Sequence, residues 1–201
     1  MADVIASHQY GGNDLSQSLS KLVSSCNRTF AARILSPYTI TLGDEFQGVA
    51  ASLGSAVEAI FYVEEYRLDE KLKFKLRYAL CYGEIESELN PKIAHGMLGS
   101  GLSEARKMLN GRKIGNSRFR FKLDDKRKSK QLTRLFRLIE SVVSKWKERD
   151  YPLISEMLTN DNDQQVGLKF NKNRSQIWKR RKNLRIEEYL TLKKIILDLI
   201  N

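Results

Sequence analysis

With 201 residues, 41% hydrophobic and 29% charged, the chain can bury a core and is long enough for one domain and a small appendage. No apolar run approaches the ~20 residues that span a bilayer. The N-terminus shows no basic stretch followed by an apolar one, so the expectation is a cytoplasmic protein without a leader or membrane span. The net charge of +11 is uneven: residues 1–110 hold 11 Lys+Arg and 13 Asp+Glu, whereas residues 111–201 hold 24 and 11. Such asymmetry points to a polyanion, most simply nucleic acid, as partner of the second half; a basic surface can also serve solubility alone. Cys26 and Cys81 stand singly in apolar stretches, so two buried thiols are expected rather than a metal or redox pair.

In chain order, residues 3–7 read as the end of a strand, and residues 8–13, with Gly11-Gly12, as a loop. Asp14 can cap a helix in which Leu15, Leu19, Leu22 and Val23 recur at helical spacing. Residues 34–42 are β-branched and aromatic and predict a strand from Tyr38, ending at the turn-favouring pair Gly43-Asp44. Residues 46–50 can return as a second strand. Residues 55–68 predict an amphipathic helix with Val57, Ile60, Phe61 and Tyr66 as core candidates. Residues 74–85 alternate Phe74, Leu76, Tyr78 and Leu80 against polar or small residues, a strand pattern. Residues 96–101 form a glycine-containing loop leading into a helix over 102–109. A hairpin between two helices argues for an α+β fold with a central, partly antiparallel sheet. Residues 113–130 are polar and basic and read as a linker or exposed loop, separating an α/β domain over 1–112 from a helical domain over 131–201.

Asp3 ends the first strand and Asp44 lies in the hairpin turn. If those strands are neighbours, both carboxylates emerge at one edge. Two such oxygen ligands can hold Mg²⁺ or Mn²⁺ beside water and phosphate, the device that activates a hydroxyl in nucleotidyl transfer. Equally, Asp44 can serve the turn through its own hydrogen bond, with Asp3 a plain strand-end residue. Gly43, Gly99 and Gly101 are candidates for nucleotide contact, because backbone N–H groups before a helix can cradle phosphate. Glu45 is expected to face away from Asp44, Glu84 and Glu86 to face solvent, and His8 and His95 to be ordinary loop histidines.

The stretch Thr39-Ile40-Thr41-Leu42-Gly43-Asp44-Glu45-Phe46-Gln47-Gly48 resembles the signature of the SatD family. Ala2-Asp3-Val4-Ile5-Ala6-Ser7, Tyr78-Ala79-Leu80-Cys81-Tyr82-Gly83-Glu84-Ile85, and Gly96-Met97 through Ala105-Arg106 agree with it, and the resemblance covers almost the whole chain. The layout is also similar to class III nucleotidyl cyclases and GGDEF-type diguanylate cyclases. The resemblance implies a ferredoxin-like, nucleotidyl-cyclase-like palm domain followed by an all-helical helix-turn-helix domain. It implies Asp3 and Asp44 as the metal aspartates and Arg106 as a catalytic arginine that stabilises the transition state. Two positions depart: Leu102 stands where an asparagine is expected four residues before that arginine, and a single glycine, after Leu42, precedes Asp44. The resemblance therefore implies a cyclase-like fold more than cyclase activity. Only Met1 and Ala2 precede the first aspartate, where family members carry several apolar residues, so either the start lies upstream or the first strand is shortened.

In the second half, residues 132–147 predict an amphipathic helix with Leu135, Leu138, Ile139, Val142 and Val143 as its stripe, and residues 151–158 a second helix around Leu153, Ile154 and Met157. Residues 163–170, the turn Asn171-Lys172 and residues 173–182 then read as a helix-turn-helix. Val166, Phe170 and Ile177 are its anchors, Gly167 is the small residue at the crossing, Asn171 sits in left-handed geometry, and Asn173 is the cap. Its candidate DNA contacts are Lys172, Asn173, Arg174, Ser175, Gln176, Trp178, Lys179, Arg180, Arg181, Lys182 and Arg185, the first residues of the helix for base edges and the later cations for phosphates. A helical hairpin with a solvated basic face fits the same pattern. Ile186, Tyr189, Leu190, Leu192, Ile196 and Leu199 offer an apolar surface on the last helix that packs on its own domain or forms a homodimer. The expected function is a DNA-binding regulator whose palm domain binds nucleotide and Mg²⁺ or Mn²⁺. The alternative is a metal-dependent nucleotidyl cyclase or transferase with the helices as targeting or assembly module.

Overall fold

The computed structural model describes residues 1–111 and 117–200 and divides the chain into two compact units. The first comprises Met1–Val63 and Phe74–Arg134, the second Glu64–Lys73 and Leu135–Asn201.

The first unit is a mixed α+β structure. Strands β1 (Ala2–Val4), β2 (Ile34–Ile40), β3 (Glu45–Ala50), β4 (Leu76–Cys81) and β5 (Phe119–Lys122) form one sheet in the order β2-β3-β1-β4-β5. β1 runs antiparallel to both its neighbours, β2 and β3 are an antiparallel hairpin, and β4 and β5 are parallel. Helix α1 (Gly12–Thr29) precedes the hairpin, α2 (Leu53–Asp69) follows it, and α3 (Ser100–Asn110) supplies the crossover that a parallel pair requires. α1 buries Leu15, Leu19, Leu22, Val23 and Cys26, spaced to share one face of a helix. α2 buries Val57, Ile60, Phe61 and Val63, whereas Tyr66 is only half-buried. On the sheet, Ala2, Phe46 and Tyr78 stand opposite one another in register and are buried. The next row, Asp3, Glu45 and Arg77, is charged and points to the other face.

The linker expected over residues 113–130 contains β5: Phe119 and Phe121 are buried at 1% and 8% exposure and carry the strand into the sheet. Arg118 is buried too, its guanidinium over the Phe119 ring and donating to the Leu76 carbonyl at 3.0 Å. Basic side chains with apolar stems fill core-edge positions here, which is why composition alone suggests solvent. The central strand β1 has three residues where β3 and β4 have six. Beside it lies a cavity of about 520 Å³ whose lining, including Val49, Ala59, Ile60, Leu80 and Ala105, bears no charged side chain.

The second unit is helical. It holds the last turns of α2, the later part of α4 (Lys126–Val143), α5 (Tyr151–Thr159), α6 (Asp163–Lys169), α7 (Arg174–Leu184) and α8 (Ile186–Ile200). The buried positions of α4 are Leu132, Phe136, Ile139 and Val142, and Leu138 is 51% exposed, so the stripe is rotated from the one expected. Trp146 is buried and donates its indole N–H to the Leu184 carbonyl at 2.8 Å. On α8, Ile186, Tyr189, Ile196 and Ile200 are buried. No helix among the described residues is long and apolar enough to cross a membrane.

Candidate functional site

The charged row of the sheet is the first candidate. Register places Asp3 opposite Glu45 on β3 and opposite Arg77 on β4, so all three side chains share a face. The sequence reading pairs Asp3 with Asp44 and turns Glu45 away; the sheet pairs Asp3 with Glu45, because a one-residue offset decides which face a side chain takes. Asp44 remains close. It lies in the hairpin turn after Gly43, whose φ of +80° suits glycine, and its carbonyl accepts from the Val4 N–H at 2.9 Å.

Guanidinium groups meet these carboxylates. Arg106 on α3 donates from Nη2 to Glu45 Oε1 at 2.8 Å and to Gln47 Oε1 at 3.3 Å, and Thr41 Oγ1 lies 3.0 Å from Glu45 Oε1. Arg77 Nη1 bridges Asp3 Oδ2 at 3.2 Å and the Leu109 carbonyl at 3.2 Å. Arg120 donates to the Met108 and Leu109 carbonyls, so two cations sit at the C-terminus of α3, where the helix dipole favours them. Asp3 Oδ1 is buried and has no hydrogen-bond partner among the described residues.

Burial raises the Asp3 carboxyl above its ordinary pKa; Arg77 pulls it down, and Asp44 and Glu45 push it up. An acid whose pKa is raised on folding binds more protons folded than unfolded. Its contribution is present below the ordinary carboxylate pKa and is lost as pH rises through the folded value. Arg77→Met removes the larger of the two downward influences, Arg77 and Arg120, so the Asp3 pKa is expected to rise further; carboxyl ¹³C NMR titration reads it, and an unchanged or lower value contradicts this electrostatic assignment.

Among the described residues no group of three or more His, Cys, Asp or Glu is arranged to hold a metal. Arg77 meets one oxygen of Asp3 and Arg106 one oxygen of Glu45, so these four residues form two ion pairs of opposite charge on one face of the sheet. Of the three glycines expected to contact a nucleotide, Gly99 and Gly101 have a backbone packing reason of their own. A Cβ on Gly99 stands 2.4 Å from the Glu84 carbonyl oxygen, and one on Gly101 stands 2.8 Å from the Gly83 carbonyl carbon. Gly43 faces open space. His8 and His95 are exposed, as are Glu84 and Glu86. Cys26 is buried and its thiol is pushed up to about 12, whereas Cys81 is half-buried, not fully buried as expected.

The second candidate is the α6–α7 segment. Asn162 caps α6 by accepting from the N–H groups of Gln164 and Gln165 at 3.0 and 3.1 Å. Asn171 has φ +52° in the turn. Lys172 N–H donates to the Gly167 carbonyl at 2.9 Å, and a Cβ on Gly167 would lie 2.4 Å from the Lys172 carbonyl oxygen, so only glycine fits. Asn173 begins α7 with a capping box: its Oδ1 accepts from Gln176 N–H at 2.9 Å, and Gln176 Oε1 accepts from Asn173 N–H at 3.0 Å.

Of the expected DNA contacts, Lys172, Asn173, Arg174, Ser175, Gln176, Trp178 and Lys179 are exposed. Lys172, Arg174 and Lys179 have no acidic partner among the described residues. Arg180 pairs with Asp150 at 2.5 Å, Lys182 with Glu187 at 2.6 Å and Arg185 with Glu188 at 3.3 Å. Arg181 differs from the expectation of a phosphate contact. It is 6% exposed, with Nε 2.8 Å from Asp163 Oδ1 and its two Nη atoms donating to the Met157 and Asn160 carbonyls at 2.9 and 2.8 Å. Sequence reasoning missed Arg77, Arg118 and Arg120; a charged residue alternating with buried apolar ones in a strand is the signal that marks them.

These two units define a mixed α+β protein with a basic helical part. The SatD family model matches residues 1–200, and the chain belongs to the SatD family. No curated protein and no solved structure matches it.

Proposed function

We propose that this chain is a DNA-binding regulatory protein whose α6–turn–α7 segment is a helix-turn-helix. The observation that carries the reading is the outer side of that segment: a capped helix preceded by a left-handed turn, with Lys172, Arg174 and Lys179 exposed and lacking acidic partners among the described residues. Helices of this kind lay their first residues along base edges and their cations against phosphates. The palm-like first unit is supported by the strand order β2-β3-β1-β4 with all neighbours antiparallel, the order of a ferredoxin-like split β-α-β arrangement.

Fluorescence anisotropy with a labelled mixed-sequence duplex tests the reading. Three uncompensated cations predict a slope of log K against log salt of about −3 per protomer, and Lys172→Ala lowers its magnitude by about 1. A homodimer on two half-sites doubles the wild-type slope. Arg174→Ala weakens binding without lowering thermal stability, whereas Gln176→Ala affects both, since Gln176 closes the capping box. No binding at low salt overturns the proposal.

A second reading, metal-dependent nucleotidyl transfer at Asp3 and Asp44 with Arg106 as the catalytic cation, has one observation in its favour: the buried Asp3 Oδ1, without a hydrogen-bond partner among the described residues. Asp3 and Asp44 would be the residues to hold Mg²⁺ or Mn²⁺, and the ion would supply neutralisation of phosphate charge and activation of a hydroxyl. Pyrophosphate release from nucleoside triphosphates with Mn²⁺, abolished in Asp44→Asn, supports that reading; equal background from both proteins rejects it.

A further inference from the structure

The chain has two tryptophans, and they differ in kind. Trp146 is buried at 7% exposure, bonded to the Leu184 carbonyl and 5.1 Å from the Tyr189 ring. Trp178 is 53% exposed on α7, an unfavourable placement for so large an apolar ring. α7 buries Ile177, Arg181 and Leu184 along one side. At 3.6 residues per turn the opposite side carries Ser175, Lys179 and Lys182, all exposed, and exposed Trp178 lies between that side and the buried one. Trp178 therefore stands at one edge of the exposed face, on the same flank as Arg174 and beyond the first turn that the Asn173–Gln176 capping box holds rigid.

The surroundings of the ring indicate its partner. Lys179 beside it and Arg174 one turn before it have no acidic partner among the described residues. Lysine is depleted at protein–protein contacts, whereas a polyanion is complementary to both unpaired cations. On duplex DNA the apolar group displayed to a major-groove helix is the C5 methyl of thymine. We infer that Trp178 is a specificity-determining residue that packs its indole on thymine methyl groups in the major groove. The inference rests on the DNA-binding reading above and adds the base feature that is read.

The test compares alternating d(A-T) duplexes with alternating d(A-U) duplexes of equal length, which lack only the methyl groups. The wild-type chain binds the thymine duplex about fourfold more tightly, equivalent to burial of one methyl group at ~0.8 kcal/mol. Trp178→Ala removes the difference, and Trp178→Phe, which keeps an apolar ring, retains it. Adding the thymine duplex also shields Trp178 emission from acrylamide, with Trp146 already protected. Equal wild-type affinity for both duplexes, or discrimination that survives in Trp178→Ala, overturns the inference while leaving DNA binding intact. Absence of binding to either duplex instead overturns the DNA-binding reading itself and the inference with it. Thermal melting of the variants confirms that an exposed position was changed without loss of fold.

Discussion

Arg181→Met is expected to lower the unfolding free energy of the second unit by about 3–5 kcal/mol, the range for removing one member of a buried charged pair. The guanidinium joins three elements. It closes two carbonyls at the C-terminal end of α5, Met157 and Asn160, and meets the Asp163 carboxylate in the first turn of α6. Both placements complement the helix dipoles, a cation at a C-terminus and an anion at an N-terminus. Methionine fills much of the volume but leaves two carbonyls and a largely buried carboxylate without their donor. Stabilities of single domains are about 5–15 kcal/mol, so this loss is a large share of the total. Urea denaturation followed by circular dichroism measures it. Arg181→Lys falls between, because an ammonium cannot reproduce the planar fork that reaches three acceptors. A change within about 0.5 kcal/mol, typical of surface substitutions, contradicts the structural role and returns Arg181 to the list of phosphate contacts.

Gly101→Ala is the corresponding substitution in the first unit, with an expected cost of about 1–3 kcal/mol or more for overpacking. Gly83, just after β4, and Gly101, in the first turn of α3, touch backbone to backbone. The added methyl carbon lies 2.8 Å from the Gly83 carbonyl carbon and 2.9 Å from its oxygen. The Gly101 N–H also donates to the Glu84 carbonyl at 3.1 Å, so the helix start cannot move away freely. A displaced α3 also carries Arg106 away from Glu45, whose side chain is 7% exposed. Gly12→Ala is the control: it opens α1, has nothing within 4 Å of the new carbon, and gains helix propensity. Equal melting temperatures for Gly101→Ala and Gly12→Ala would falsify the packing explanation.

What the sequence made legible follows the range of each interaction. Helix α1 is written in the spacing of Leu15, Leu19 and Leu22, and β4 in the alternation of Leu76 and Tyr78, because both patterns are local. The Asn171 turn and the Asn173 cap are local as well, and both are found as read. The Asp3–Glu45–Arg77 row is not local. Its members come from three strands, and nothing in any one segment fixes the register that joins them. β5 was obscured differently. Phe119 and Phe121 alternate as a strand should, but they stand among Arg118, Arg120 and Lys122, and a charge count cannot separate a guanidinium over an aromatic ring from one in water. Arg181 misleads for the same reason within the basic run that follows Asn173. Net charge is thus a guide to partners only after the buried and paired cations are set aside.

The chain's threading has a consequence for modularity. The segment Glu64–Lys73 belongs to the unit that otherwise begins at Leu135. Within that unit Glu65 accepts from the Tyr189 hydroxyl at 3.0 Å and from Lys193 at 2.5 Å, and Asp69 from the Ser155 hydroxyl at 3.1 Å. A gene fusion cut once, at the boundary composition suggests, would transplant the basic helices without these acceptors. The two units are therefore expected to have been inherited as one cassette rather than shuffled separately.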